Sequence, residues 1–235
     1  MNNIYHLLIY NPFLNILIFF YQTIAFKDLG LAIIFLTILV RIILYPLANQ
    51  MLQTQTLIQK IQPEIKLIQK KYKTDPQKQL SETMAIYKKN NINIFSMYFF
   101  ILIQIPILIA LYSIFSQNFQ LINLSNLYSF VPKPEIINPT FLGLINLTKP
   151  SIIIAVLATF FQYFQIRLSL VVLKDKKNIN NFTLYLGPAI TFVFLFYFSS
   201  AIGLYWLTTN LISLINQFFI NKKIIQEENQ KNGLE

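Results

Sequence analysis

The chain has 235 residues, of which 55% are hydrophobic and only 12% are charged, and its formal net charge is +10. A soluble domain carries about 25% charged residues, so this composition excludes an ordinary soluble protein and indicates an integral membrane protein. Cysteine is absent, which excludes disulfides, thiolate metal sites and a cysteine nucleophile. The lysines cluster between apolar runs, as they do in cytoplasmic loops, which argues against nucleic acid as the partner of this charge.

The N-terminal residues 1–28 predict a helix that lies on the outer face of the membrane. Pro12 suits a first helical turn, with Asn11 as its cap. The stretch from Pro12 to Phe26 is short for a span, since a transmembrane helix needs about 20 residues. We therefore expect an interfacial helix, with an additional span as the alternative.

The first clean span is expected from Gly30 to Ala48, with Pro46 near its cytoplasmic end. A polar insertion at residues 49–93 follows, and it contains eight lysines and three acidic residues. Two apolar seams with helical spacing, separated by a turn, predict an antiparallel helical hairpin in which Pro63 kinks or restarts the first arm. The first seam is Ile58, Ile61, Ile65, Ile68 and Tyr72, the turn is Thr74-Asp75-Pro76, and the second seam is Leu80, Met84 and Tyr87.

Four more apolar runs complete the predicted core at residues 29–220, so the fold class is an all-α, polytopic membrane protein with five spans. The tail at residues 221–235 is polar, basic and expected to be disordered. The runs are Ile94–Phe115, Ser151–Val172 and two within residues 182–220 that turn at Ser199-Ser200-Ala201; a loop at 116–150 and a basic loop at 174–178 separate them.

Charge asymmetry predicts the orientation of these spans. If the hairpin, the 174–181 loop and the tail are cytoplasmic, that side holds 14 lysines, and Arg167 at a span end makes 15 basic residues, whereas the outside holds 3. The positive-inside rule then places the N-terminus outside and the C-terminus in the cytoplasm. The eight lysines of the hairpin also suit contact with anionic lipids.

Polar side chains recur at helical spacing along several spans and predict a shared hydrophilic cavity, because unsatisfied polar groups in hydrocarbon are costly. The alternative is that they hydrogen-bond neighbouring spans, with Trp206 as an interfacial anchor and Gln165 reaching the cytoplasmic surface. The stripes are Thr37, Arg41 and Tyr45; Thr159, Gln162 and Gln165; Trp206, Asn210, Ser213 and Gln217; and Gln104 stands alone in the second span.

Arg41 fits the structural alternative least well. A charge near the bilayer centre costs roughly 2.5–3.5 kcal/mol even on insertion scales. The predicted spans contain no carboxylate that could neutralise this guanidinium. Arg41 therefore predicts a place where water or a visiting anion meets the chain.

Four segments in order resemble the YidC-type membrane protein insertase family, over roughly residues 10–220. Two departures are visible: Ile94–Tyr98 lacks the family's Gly- and Pro-bearing stretch, and Ser199-Ser200-Ala201 stands where Pro-Ser-Gly is common. The matching segments are NPFLNILIFFYQTIAFKDLGLAIIFLTILVRIILYPL, IQPEIKLIQKKYKTDPQKQLSETMAIYKKNNIN, QIPILIALY and GLYWLTTNLISLINQ.

The resemblance implies a compact five-span insertase with a hydrophilic groove that opens to the cytoplasm and to lipid. Such a protein inserts and helps fold newly made membrane proteins without nucleotide hydrolysis, without a cofactor or metal, and without enzyme chemistry. Arg41 would be the groove cation. The other expected groove residues are Thr37, Gln104, Gln162, Gln165, Trp206 and Asn210.

The implied partners are nascent membrane proteins, with the Sec translocon, the signal recognition particle receptor and the ribosome as further candidates. The chain is expected to work as a monomer in the cell membrane, or in the thylakoid membrane if it is plastid-derived. Two other functions remain open. An anion channel or transporter would use Arg41 for a solute, and a passive assembly scaffold would pair Arg41 with a partner's carboxylate.

Overall fold

The computed structural model describes residues 2–116, 124–172, 181–231 and Gly233. This part of the chain is mainly helical, as predicted. Its longest non-helical stretch is at residues 127–151, and it contains one short antiparallel strand pair, Thr140–Phe141 with Ile145–Asn146. The helices are α1 (Asn2–Tyr5), α2 (Asn11–Thr23), α3 (Leu29–Ile43), α4 (Tyr45–Lys71), α5 (Pro76–Lys89), α6 (Phe95–Phe115), α7 (Ile152–Ser169), α8 (Asn181–Tyr197) and α9 (Ser200–Lys231).

Within the described residues, two helices are long and apolar enough to cross a membrane alone, α6 at Tyr98–Phe115 and α7 at Ile152–Ser169. The bent pair α3 and α4 makes a third candidate, and α8 contributes a shorter apolar helix, Leu184–Tyr197. The chain is therefore a polytopic membrane protein, and the count of five spans stays a prediction. The predicted basic loop at 174–178 lies outside the described residues.

The N-terminal helix begins earlier than predicted. Tyr10 has φ −60° and ψ −52°, so the helical backbone continues from a π-helical segment, His6–Tyr10, directly into α2. Asn11 therefore lies inside helical structure, and its prediction as a cap is wrong. One face of α2 buries Leu14, Leu17 and Ile18 completely in the main core, while its placement at the membrane surface remains a prediction.

The first span ends sooner than Ala48, because the helix breaks at Leu44. α3 and α4 meet there at a bend of 73°. The physical cause is Pro46, which cannot donate to the carbonyl of Ile42 and whose ring crowds that carbonyl. The predicted stripe Thr37–Arg41–Tyr45 is therefore interrupted, and Tyr45 belongs to α4, where its side chain is exposed.

The helical hairpin forms at the predicted turn. The side chain of Asp75 accepts a hydrogen bond from the backbone N–H of Lys78 and caps α5, which Pro76 begins. Ile61 and Ile65 of the first arm pack with Ile92 after the second, which requires the two arms to be antiparallel. α4 runs through Pro63 without a restart, so the helix does not break there as the sequence allowed.

A loop clasp, made by residues 124–149, covers one end of the helices, which we call the loop end. The carboxylate of Asp28 caps α3 through Leu31 N–H at 2.9 Å and also accepts from Leu142 N–H at 2.6 Å. The Phe141 ring lies so close to Gly30 that a Cβ at that position would overlap it. The backbone N–H of Ser200 donates to the Lys149 carbonyl at 2.9 Å and fixes the start of α9.

The opposite, hairpin end joins the first arm of the hairpin to the other helices. Gln217 Nε2 on α9 donates to Thr56 Oγ1 on α4 at 2.9 Å and to Asn221 Oδ1 at 2.9 Å. Asn221 Nδ2 donates in turn to the Leu168 carbonyl at 2.6 Å. We call Thr56, Gln217 and Asn221 the polar junction; all three are buried.

The last helix continues well past the predicted end of its span. α9 reaches Lys231, so the expectation of disorder from Asn221 onward is wrong for residues 221–231. Ile220 and Ile224 pack against Leu52 of α4. This apolar contact stabilises helix beyond the hydrophobic stretch, which hydropathy alone could not reveal.

Candidate substrate-contacting site

Arg41 lies in the last turn of α3, half-buried. Its guanidinium carbon is 5.9 Å from the centroid of the Phe100 ring on α6, within cation–π range. Among the residues that the structure describes, no carboxylate forms an ion pair with it. A cation at a helix C-terminus is stabilised by the helix dipole, which offsets part of its desolvation cost.

Tyr205 on α9 is the neighbour that sequence reasoning missed. It is 4% exposed and lies near Arg41. Its hydroxyl accepts a hydrogen bond of 2.5 Å from Gln104 Nε2 on α6. Arg41, Phe100, Gln104 and Tyr205 thus form one polar and aromatic group from three helices, which we call the Arg41 cluster. A tyrosine hydroxyl inside a span needs a hydrogen-bond partner. That need was the signal in the sequence that could have added Tyr205 to the predicted site.

The polar groups of two predicted groove residues form hydrogen bonds within the protein. Thr37 is 1% exposed, and its hydroxyl donates to the carbonyl of Ile33 in its own helix at 2.6 Å. Asn210 Nδ2 donates to the Ala158 carbonyl at 2.9 Å and joins α9 to α7. The Asn210 bond is the interhelical type that the alternative interpretation anticipated, whereas the Thr37 bond stays within α3.

The remaining predicted residues lie toward α8. The Trp206 ring is 5.7 Å from that of Phe194 on α8, and Gln162 Nε2 would be 3.7 Å from a Cβ at Gly187. Neighbouring residues on a helix point about 100° apart, so Trp206 lies on a different side of α9 from Tyr205. Gln165 is half-buried one turn after Gln162.

Several polar atoms between the helices have no hydrogen-bond partner in the described part of the chain. They include Thr159 Oγ1 and Gln162 Oε1 on α7 and Thr209 Oγ1 on α9. A buried polar atom without a partner costs about 1–3 kcal/mol.

The comparisons with known proteins bear directly on this arrangement. The family described as 60Kd inner membrane protein matches residues 19–228, which is most of the chain. The chain belongs to this family. The family includes the YidC and Oxa1 proteins, so the resemblance found in the sequence is confirmed.

Curated relatives from three bacteria carry the same description, membrane protein insertase YidC. The Clostridium tetani protein is 36% identical over 204 residues, covering 84% of this chain and 83% of the relative. The Clostridium perfringens protein is 33% identical over 216 residues, covering 85% and 83%. The Oceanobacillus iheyensis protein is 29% identical over 203 residues, covering 85% and 77%. These homologues support an insertase role for the chain.

Proposed function

We propose that this chain is an insertase that moves a short polar segment of a new membrane protein across the bilayer through a groove at the Arg41 cluster, without nucleotide hydrolysis. The observation that carries the proposal is the half-buried guanidinium of Arg41. It lies over the Phe100 ring and near Tyr205, and it pairs with no carboxylate among the described residues. The relatives are membrane protein insertases, and this supplies the class of substrate.

Arg41 attracts an acidic or polar segment of the substrate. Attraction between charges grows as the surroundings lose water, from about 1 kcal/mol at 4 Å in bulk water to about 4 kcal/mol at an effective dielectric of 20. The Tyr205 hydroxyl accepts a hydrogen bond from Gln104. It can also donate a hydrogen bond to a passing carbonyl or carboxylate. The cluster therefore replaces part of the hydration shell that the segment loses.

The driving force comes from the substrate's own apolar helix. Each Leu or Ile at the centre of a span contributes about −0.3 to −0.6 kcal/mol on the insertion scale. Ten such residues offset the transfer of a short polar segment once the groove has lowered that cost. No phosphate-binding loop is needed for this step.

The helix directions support an orientation with the N-terminus outside and the C-terminus in the cytoplasm. α3 and α9 both run from the loop end to the hairpin end. Asp28 before α3 is bonded to Leu142, and Ser200 at the start of α9 is bonded to Lys149, both in the loop clasp. Gln217, further along α9, is bonded to Thr56 at the hairpin end. The lysine-rich hairpin therefore lies at one end and the loop clasp at the other. The positive-inside rule assigns the hairpin end to the cytoplasmic side of the cell membrane, or to the stromal side of a thylakoid membrane.

The partners that follow are nascent membrane proteins in the groove, and anionic lipids, ribosomes or a targeting receptor at the hairpin. The Sec translocon fits as a neighbour that passes spans to the groove. A scaffold function would instead require a permanent carboxylate partner for Arg41. A channel would require solute flux through purified protein.

The decisive experiment is photocrosslinking during translation. A photoreactive phenylalanine analogue at Phe100, which is 6% exposed beside Arg41, is compared with the same analogue at Phe99, which is 52% exposed. We expect the polar tail of a single-span nascent substrate to crosslink from position 100, and lipid to crosslink from position 99. Crosslinks from position 100 only to a stable subunit would favour the scaffold and overturn the insertase.

A further inference from the structure

A second feature, separate from the Arg41 cluster, lies where the hairpin joins α6. A cavity of about 410 Å³ opens there, lined by the end of α5, the connecting residues and the first residue of α6. The exposed Phe95, at 81%, begins α6, and the candidate membrane-crossing segment starts three residues later at Tyr98. Tyr and Trp side chains concentrate at the headgroup level of a membrane, and Tyr98 is 62% exposed.

The lining has two chemical halves. Lys88, Asn91 and Asn93 bring an ammonium group and amide side chains, whereas Met84, Ile94 and Phe95 are apolar. None of the lining residues is acidic, and Lys89 adds a second ammonium next to Lys88. This combination of hydrogen-bond donors with positive charge and an apolar surface complements a phosphate group attached to acyl chains.

A hydrogen-bonded frame fixes one wall of the cavity. The Asn93 side chain accepts from Phe95 N–H at 3.0 Å, and the Asn93 carbonyl accepts from Ser96 Oγ at 2.7 Å. Thr54 of the first hairpin arm is bonded to Ser96 at 2.9 Å. Tyr87 also lines the cavity, and a tyrosine phenol is neutral at physiological pH, so it does not repel an anion.

We propose that this cavity binds the headgroup of one anionic phospholipid, and so holds the base of the hairpin at the membrane surface. Lys88 contacts the phosphate, the amides of Asn91 and Asn93 donate to its oxygens, and the acyl chains lie along Phe95. The proposal depends on α6 entering the bilayer near Phe95, and it does not depend on the insertase proposal.

The test measures lipid retained on the full chain by native mass spectrometry, with phosphatidylglycerol and phosphatidylcholine of identical acyl chains. Lys88→Gln is compared with Lys73→Gln, which removes the same charge from the exposed hairpin turn. We expect Lys88→Gln to weaken retention of phosphatidylglycerol about fivefold, as the loss of one lysine contact at a membrane surface predicts. Lys73→Gln should leave retention near that of the parent chain.

A phosphatidylglycerol with a photoreactive group near its phosphate gives a positional readout. We expect its crosslinks to map to residues 84–95 rather than to residues 72–78. Equal losses in the two lysine variants would show that the charge acts diffusely, and this result would overturn the site. Equal retention of the two lipids by the parent chain, or crosslinks confined to the turn, would overturn it as well.

Discussion

At the scale of single residues, the surroundings of Arg41 decide what its charge can do. An arginine locked to a carboxylate is a structural ion pair, whereas one beside Phe100 and Tyr205 keeps donors for a visitor. The four side chains of the cluster come from three helices, so no single stripe in the sequence contains it. The charge was visible in the sequence, but the partners Phe100 and Tyr205 were not.

Replacement of Arg41 tests this role directly. We expect Arg41→Ala to reduce insertion of a single-span substrate with an acidic tail about tenfold, since a hydrogen bond to a charged group contributes roughly 1.5–3 kcal/mol. Arg41→Lys should recover part of the activity, because it keeps the charge and loses the planar fork. The measurement is protease protection of the tail after synthesis into reconstituted liposomes.

The matched control is Arg167→Ala, which removes an exposed arginine from the last turn of α7. We expect this variant to insert the same substrate at nearly the parent rate. Unchanged insertion by Arg41→Ala would contradict the groove-cation role. An equal loss in both variants would point to total charge instead.

At the scale of secondary-structure elements, the break at Leu44 separates a membrane helix from the arm of a hairpin. Pro46, near the start of α4, turns the chain by 73° relative to α3. The polar junction then holds the first hairpin arm against α9. Thr56 is 1% exposed and Gln217 is completely buried. The hairpin therefore has a fixed base rather than a free connection to α3.

Loss of the junction should release this arm. Thr56→Val keeps the side-chain shape but removes the acceptor for Gln217 Nε2, at a cost of about 1–3 kcal/mol for the unpaired buried donor. The chain contains no cysteine. Cysteines introduced at Gln77 on α5 and Gln226 on α9 would therefore be the only sites that react with a thiol-specific spin label. We expect pulsed electron spin resonance to show a broader distance distribution in Thr56→Val.

Thr56→Ser is the matched control, since it retains the hydroxyl and should keep the narrow parent distribution. An unaltered distribution in Thr56→Val would mean that the apolar contacts of Leu52 with Ile220 and Ile224 hold the arm by themselves. A distribution broadened equally in both variants would implicate the lost methyl group.

At the scale of the whole molecule, the two ends have different construction. The loop end is closed by the clasp, with Asp28 bonded across to Leu142 and Ser200 to Lys149. The hairpin end carries eight of the lysines and the exposed arms. A polar segment that reached the Arg41 cluster from the hairpin end would meet the clasp before leaving on the other side.

This polarity predicts the labelling of single cysteines in intact cells. Lys133→Cys, in the loop at the clasp end, should react with a membrane-impermeant maleimide added outside. Lys73→Cys, at the hairpin turn, should react only after the membrane is permeabilised. The reverse pattern would contradict the positive-inside assignment, and reaction of both sites in intact cells would contradict a single orientation.

The sequence by itself determined the class of protein, the position of α6 and α7 and the two arms of the hairpin, because hydropathy, lysine spacing and the Asp75-Pro76 turn are local properties. Only the tertiary structure decided that α3 ends before Tyr45, that α9 continues over Leu52, and that Tyr205 lies near Arg41. Those outcomes depend on which side chains meet across helices distant in the chain. Packing between such helices decides which polar groups are satisfied and which remain available.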